Sequence, residues 1–122
     1  MTEQLIANID HARVHALADL VDYQPGKVAS LTLAQRSGVG LTLFAIDQGE
    51  GLGTHSAPGD ALVQILDGAA EITIDGVPEI VKAGQAIVMP AEIPHALKAI
   101  EPFKFLLIVV KNEEKKETTH AR

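Results

Sequence analysis

Ala61-Leu62-Val63-Gln64-Ile65-Leu66-Asp67-Gly68-Ala69-Ala70-Glu71-Ile72-Thr73-Ile74-Asp75-Gly76 contains two short aliphatic runs, each closed by Asp-Gly. Both residues of that dipeptide tolerate positive φ, so Asp-Gly between apolar runs is the strongest short-range signal of a β-hairpin. The stretch predicts a strand over Ala61 to Leu66, a turn at Asp67-Gly68, a strand over Ala70 to Ile74, and a second turn at Asp75-Gly76 towards Pro78 to Lys82. The same punctuation continues outward. Upstream, Val28 to Gln35 and Val39 to Asp47 are strand-like and broken by Ser37-Gly38. Downstream, Ala83-Gly84 leads into Ala86 to Met89, followed by Pro94 to Ala99 and Phe103 to Val110. About eight or nine short strands at near-regular spacing predict an all-β, antiparallel sandwich or barrel. The absence of intervening helices rules out a doubly wound α/β fold.

These strands occupy residues 25–111 of a 122-residue chain, which is the size of one compact domain. Folding a chain of this length removes roughly two-thirds of its surface from water, enough for a core without staples. Apolar residues make up 47% of the sequence but aromatics only 3%, so that core must be aliphatic. Residues 1–24 are expected to pack on the barrel as a short helical or extended segment. Asp10 is a candidate N-cap, and Val14, Leu17, Leu20 and Val21 are spaced to form one helical face. Residues 112–122 are nearly all polar and are expected to form a solvated tail.

Composition also removes whole classes of function. There is no cysteine, so disulfides, thiolate metal sites and a cysteine nucleophile are excluded. A net charge of −6 lacks the basic footprint that phosphate binding needs, and one Tyr, three Phe and no Trp supply few stacking platforms, so no nucleic-acid partner is expected. No run approaches the ~18–20 apolar residues needed to span a bilayer. The longest candidate, Phe103 to Val110, is strand-sized and stops at Lys111. Met1 to Ile6 lacks the basic start and apolar run of a signal peptide, so the expected location is the cytoplasm.

Without cysteine, histidine is the only nitrogen ligand and the best general base. His11 and His15 lie at i,i+4, which on a helix would place both rings on one face; as a pair without a carboxylate they read as solvated residues. His120 falls in the polar tail. His55 follows the glycine-rich approach Gly49-Glu50-Gly51-Leu52-Gly53-Thr54, expected to bend just before a strand, and His95 follows the stiff loop Met89-Pro90-Ala91-Glu92-Ile93-Pro94. Both sit at strand ends beside irregular backbone, where open-ended barrels place their sites.

Gly49 through Gly68 resembles the first motif of the cupins, a glycine, five residues, a His-x-His pair, a later glutamate and a closing glycine. Gly84 through His95 resembles the second, with Pro90 after five intervening residues and a histidine after a short turn. The resemblance covers about residues 28–110 and implies a jelly-roll barrel. It also implies a site, since cupin enzymes typically hold one divalent metal with three histidines and a glutamate. Carried over by position, His55 is the first ligand and His95 the last, while Ala57 and Ala61 stand where a histidine and the glutamate would be. Two ligands of four are methyl groups. Asp60 is adjacent to the glutamate position; in a regular strand it would face away from Ala61's side, a bulge at Pro58-Gly59 could bring it inward, and otherwise it reads as a turn residue. Glu50 and Glu92 are further loop carboxylates; Glu92 stands where a glycine is common. Gln64 should point away from the pocket by parity with Ala61.

The expected site is therefore a pocket formed by His55, Ala57, Ala61 and His95, with an incomplete metal set of His55, His95 and, if turned inward, Asp60. One reading is a cupin-type protein that binds a small polar ligand, with no cofactor required. The other is a metal-dependent oxygenase or isomerase with a depleted centre, for which the resemblance implies a divalent metal ion. A third is an assembly or regulatory module. Polar residues are sparse along Leu41 to Ile46 and Phe103 to Val110, so one outer sheet face is expected to be covered, as in a two-fold homodimer.

Overall fold

Along Asp60–Asp67 the side chains alternate: Ala61, Val63 and Ile65 are buried, while Asp60, Gln64 and Asp67 are exposed. That period of two marks a strand with one face on a core. The computed structural model describes residues 4–112. Its strands are β1 (Val28–Gln35), β2 (Val39–Ile46), β3 (Gly51–His55), β4 (Asp60–Asp67), β5 (Ala69–Ile74), β6 (Val77–Lys82), β7 (Ala86–Met89), β8 (His95–Ala99) and β9 (Phe103–Val110). They form a five-stranded sheet, in the order β1-β2-β9-β4-β7, and a four-stranded sheet, in the order β3-β8-β5-β6. The protein is an all-β, antiparallel jelly roll. The chain changes sheet at every connection except the β1–β2 and β5–β6 hairpins.

Between the sheets lie Ile46, Val63, Ile65, Ile72, Leu97, Phe103 and Phe105. Phe44, Phe105 and Phe103 stack in turn, with ring centroids 4.8 and 5.4 Å apart, so the few aromatics are concentrated at the centre.

The two Asp-Gly turns differ from each other. Asp75-Gly76 is the expected hairpin: φ is +51° and +81°, and Ile74 pairs with Val77 across a two-residue loop. Asp67-Gly68, expected to be a second hairpin, instead carries the chain from the five-stranded to the four-stranded sheet. Gly68 has φ +76°, and a Cβ there would lie 1.9 Å from the Pro102 carbonyl oxygen, so close passage past the β8–β9 connection requires glycine.

The N-terminal segment is short and mostly non-helical. The helix expected from Asp10 is absent; only Leu17–Leu20 forms a 3-10 turn, preceded by Ala16 and without a side-chain cap. Asn8 and Ala12 adopt φ +63° and +60°, which a helix does not allow, and Val14 is fully exposed. Asn, Asp, His and Val are weak helix formers, and tertiary packing prevails here over apolar spacing. Leu17, Leu20 and Val21, with Ile9 and Tyr23, pack on the outer face of the five-stranded sheet at Leu33, Leu43 and Ala45. Two polar contacts fasten the segment: the Tyr23 hydroxyl donates to Asp67 Oδ2 at 2.5 Å, and Lys104 Nζ donates to the Ala18 carbonyl at 2.7 Å. The outer face along Leu41 to Ile46, for which the sequence suggested a partner subunit, is thus partly covered by the chain itself.

Among the described residues, no helix is long and apolar enough to cross a membrane. Nearly all of the expected polar tail, His120 included, lies outside the described residues.

Candidate functional site

The glycine-rich approach to His55 is itself a strand, β3, contrary to the expected bend. It was obscured by Gly51 and Gly53, which are poor strand formers on their own. β3 pairs with β8, and their register sets His55 directly opposite His95. Forty residues apart in sequence, the two rings meet edge to face with centroids 4.5 Å apart. Each is tethered through Nδ1 to the backbone two residues earlier: His55 Nδ1 lies 2.8 Å from the Gly53 carbonyl oxygen, and His95 Nδ1 lies 3.1 Å from that of Ile93.

The pair differs in depth. His55 is exposed, whereas His95 is 5% exposed and is the only buried polar or charged residue among those described. Burial first, and then the neighbouring His55 ring, hold the His95 imidazole below the ordinary histidine range; the hydrogen bond to Ile93 acts in the opposite direction.

Both rings line a cavity of about 190 Å³ between the sheets. Ala57, Gly59 and Ala61 line it as well, so His55, Ala57, Ala61 and His95 do share one cup. The rest of the wall is apolar: Leu52, Met89, Leu97, Phe105, Leu107 and Val109. The sequence reading missed these six because choosing between the two faces of a strand requires register. The signal was nevertheless present, since Leu97 is two residues from His95, and Phe105, Leu107 and Val109 alternate along β9.

The carboxylates lie elsewhere. Asp60 is exposed at the start of β4, outside the cavity lining, and its Oδ1 accepts a hydrogen bond of 2.8 Å from the Ala91 backbone N–H. No bulge brings it inward. The Glu92 N–H donates to the Ala57 carbonyl at 2.7 Å, so two bonds tie the β3–β4 loop and the first residue of β4 to the β7–β8 loop that leads to His95. Glu92 has φ +66°, which explains why glycine is common there, and it borders an open hollow with Ser37, Pro58 and Lys111 instead of the cup. Glu50 is also absent from the cavity lining, and Gln64 faces away from it as parity required.

Among the described residues, no group of three or more His, Asp or Glu is placed to hold a metal ion. The cup's donors are two imidazoles and no carboxylate, so a four-ligand cage does not fit these residues. His11 and His15 form no comparable centre. Each places Nε2 against a backbone carbonyl five residues earlier, Ile6 at 2.6 Å and Asp10 at 2.9 Å, beside a wide hollow on exposed chain.

Residues 42–110 match the family model described as a cupin domain. A conserved protein of unknown function from Streptococcus pyogenes is 50% identical over 93% of this chain and 100% of that one, with a TM-score of 0.90. A cupin superfamily protein from Desulfitobacterium hafniense is 31% identical over 88% of this chain and 98% of that one, with a TM-score of 0.84. A cupin 2 conserved barrel domain protein from Leptotrichia buccalis is 47% identical over 77% of this chain but only 46% of that one, with a TM-score of 0.76. No curated protein sequence matches the chain significantly.

Proposed function

The chain belongs to the cupin family, and on that footing we propose that it binds a small molecule in the cup between its sheets, oriented by His55 and His95. One observation carries this reading: two imidazoles with ring centroids 4.5 Å apart are the polar side chains of an otherwise apolar cavity lining. A few convergent polar groups in an apolar concavity are the usual composition of a ligand site. The cavity's 190 Å³ is below the usual range of roughly 300–1,000 Å³ and a little above the ~150 Å³ that holds benzene. The ligand is therefore compact, with one polar end and an apolar body.

The competing reading is an oxygenase or isomerase with a depleted metal centre on His55 and His95, joined by Asp60 only if it turns inward. Asp60 is its optional third donor, with waters completing the shell, but the Asp60 carboxylate is outside the cup and engaged with Ala91, which leaves two imidazoles and no carboxylate to balance a metal's charge. The donor set therefore favours binding over metal-centred chemistry.

Metal analysis of tag-free protein purified without chelator, together with NMR-detected screening of small ligands, tests this reading. The expected result is less than stoichiometric metal and ligand-induced shifts at Ala57, Ala61 and Leu97. A stoichiometric metal lost in both His55→Ala and His95→Ala would overturn it.

A further inference from the structure

Resting on the reading of the cup as a ligand site, we propose that its occupants are neutral molecules bearing a hydroxyl on a small apolar body, a phenol or an alcohol, and that it discriminates against carboxylates. A backbone carbonyl only accepts hydrogen bonds. The contacts of His55 Nδ1 with the Gly53 carbonyl and of His95 Nδ1 with the Ile93 carbonyl therefore assign a proton to each Nδ1. A neutral imidazole carries a single N–H, so Nε2 of each ring is left as a bare lone pair. The tethers thus leave the two rings that line the cup as acceptors, and among the described residues every other lining side chain is hydrocarbon, thioether or glycine and adds no donor.

Charge points the same way. Among the described residues no lysine or arginine lines the cavity, so none of them offsets a carboxylate there. A buried, unpaired anion is costly in such surroundings. A hydroxyl instead donates to Nε2 and leaves its carbon body against Leu97, Phe105 and Val109. The edge-to-face arrangement keeps the two rings in contact without stacking them flat.

The test is titration of the chelator-treated 122-residue chain with phenol, toluene and benzoate at pH 8, followed by NMR at His55, Ala57, His95 and Leu97. At that pH phenol, ionising near ~10 as tyrosine does, is neutral, while a carboxylic acid is charged. Phenol is expected to bind roughly tenfold tighter than toluene, the worth of about one net hydrogen bond, and benzoate more weakly than either. In His95→Phe the preference for phenol over toluene should shrink. Benzoate binding as tightly as phenol, or phenol no tighter than toluene, would overturn the donor rule while leaving the cup a binding site. Silence from all three probes would overturn both the rule and the reading beneath it. If His95→Phe does not fold, the wild-type phenol-to-toluene ratio decides alone.

Discussion

The two histidine pairs make opposite use of sequence distance. His11 and His15 are four residues apart and never form a shared centre, because the segment between them is not helical. His55 and His95 are forty residues apart and touch, because β3 and β8 are register partners. In both pairs one ring nitrogen is held by a nearby backbone carbonyl. The difference lies in the scaffold. One pair rides on exposed chain; the other is set into a cavity wall backed by the molecule's main core. Proximity in sequence counts for little without an element to convert it into geometry.

The largest expected difference between the two regions is in what supports them. Phe105 is fully buried behind the cup and stacks on two other phenylalanines, so Phe105→Ala should cost about 3–5 kcal/mol in denaturant unfolding. Val14→Ala, between His11 and His15 in the hollow's chain segment, should stay within about 0.5 kcal/mol because Val14 is fully exposed. A loss at Val14 as large as that at Phe105 would break the contrast. Next comes binding: of His55→Ala and His95→Ala, the one that removes the Nε2 accepting phenol's single O–H should weaken phenol by roughly tenfold and the other by less, while His11→Ala and His15→Ala leave its affinity unchanged.

A smaller effect is expected where the cup's loops are joined. Asp60→Ala removes the acceptor for the Ala91 N–H and should cost about 1 kcal/mol, with chemical-shift changes reaching His95 but not His15. The smallest effect is the response to acid. His95 has a folded pKa below its unfolded value of 6.5, so between those two values the unfolded chain binds more protons than the folded one. Stability contributed by this group is fully present above pH 6.5 and declines as pH falls towards the lower folded value. Thermal melts of wild type and His95→Phe should therefore converge on acidification across that window. Curves that keep a constant separation would remove His95 as the source.

How far the sequence was legible depended on whether a feature was local. The limits of β1, β7 and β9 follow directly from their apolar runs, bounded by Ser37-Gly38, Gly84 and Lys111. β3 was missed because glycines replaced the usual strand formers and its pairing comes from β8. Asp67-Gly68 and Asp75-Gly76 are the same dipeptide with different roles; the sheet that β5 joins is decided by β8, not by the turn. The meeting of His55 and His95 was legible only through motif resemblance, since nothing in a forty-residue spacing implies contact. Asp60 could be placed only once Gly59 and Ala61, on either side of it, were known to line the cup.

β3 is the outermost strand of its sheet, and its register with β8 slips between Leu52 and His55. One wall of the cavity is therefore a strap buckled at its two ends, with slack in the middle at Gly53 and Thr54. Such a wall parts at a lower free-energy cost than one laced along its whole length. His55 would swing with the strap, while His95, on the inner strand β8, would stay with the frame. How quickly an occupant comes and goes, and how firmly it is held, would then depend on different strands.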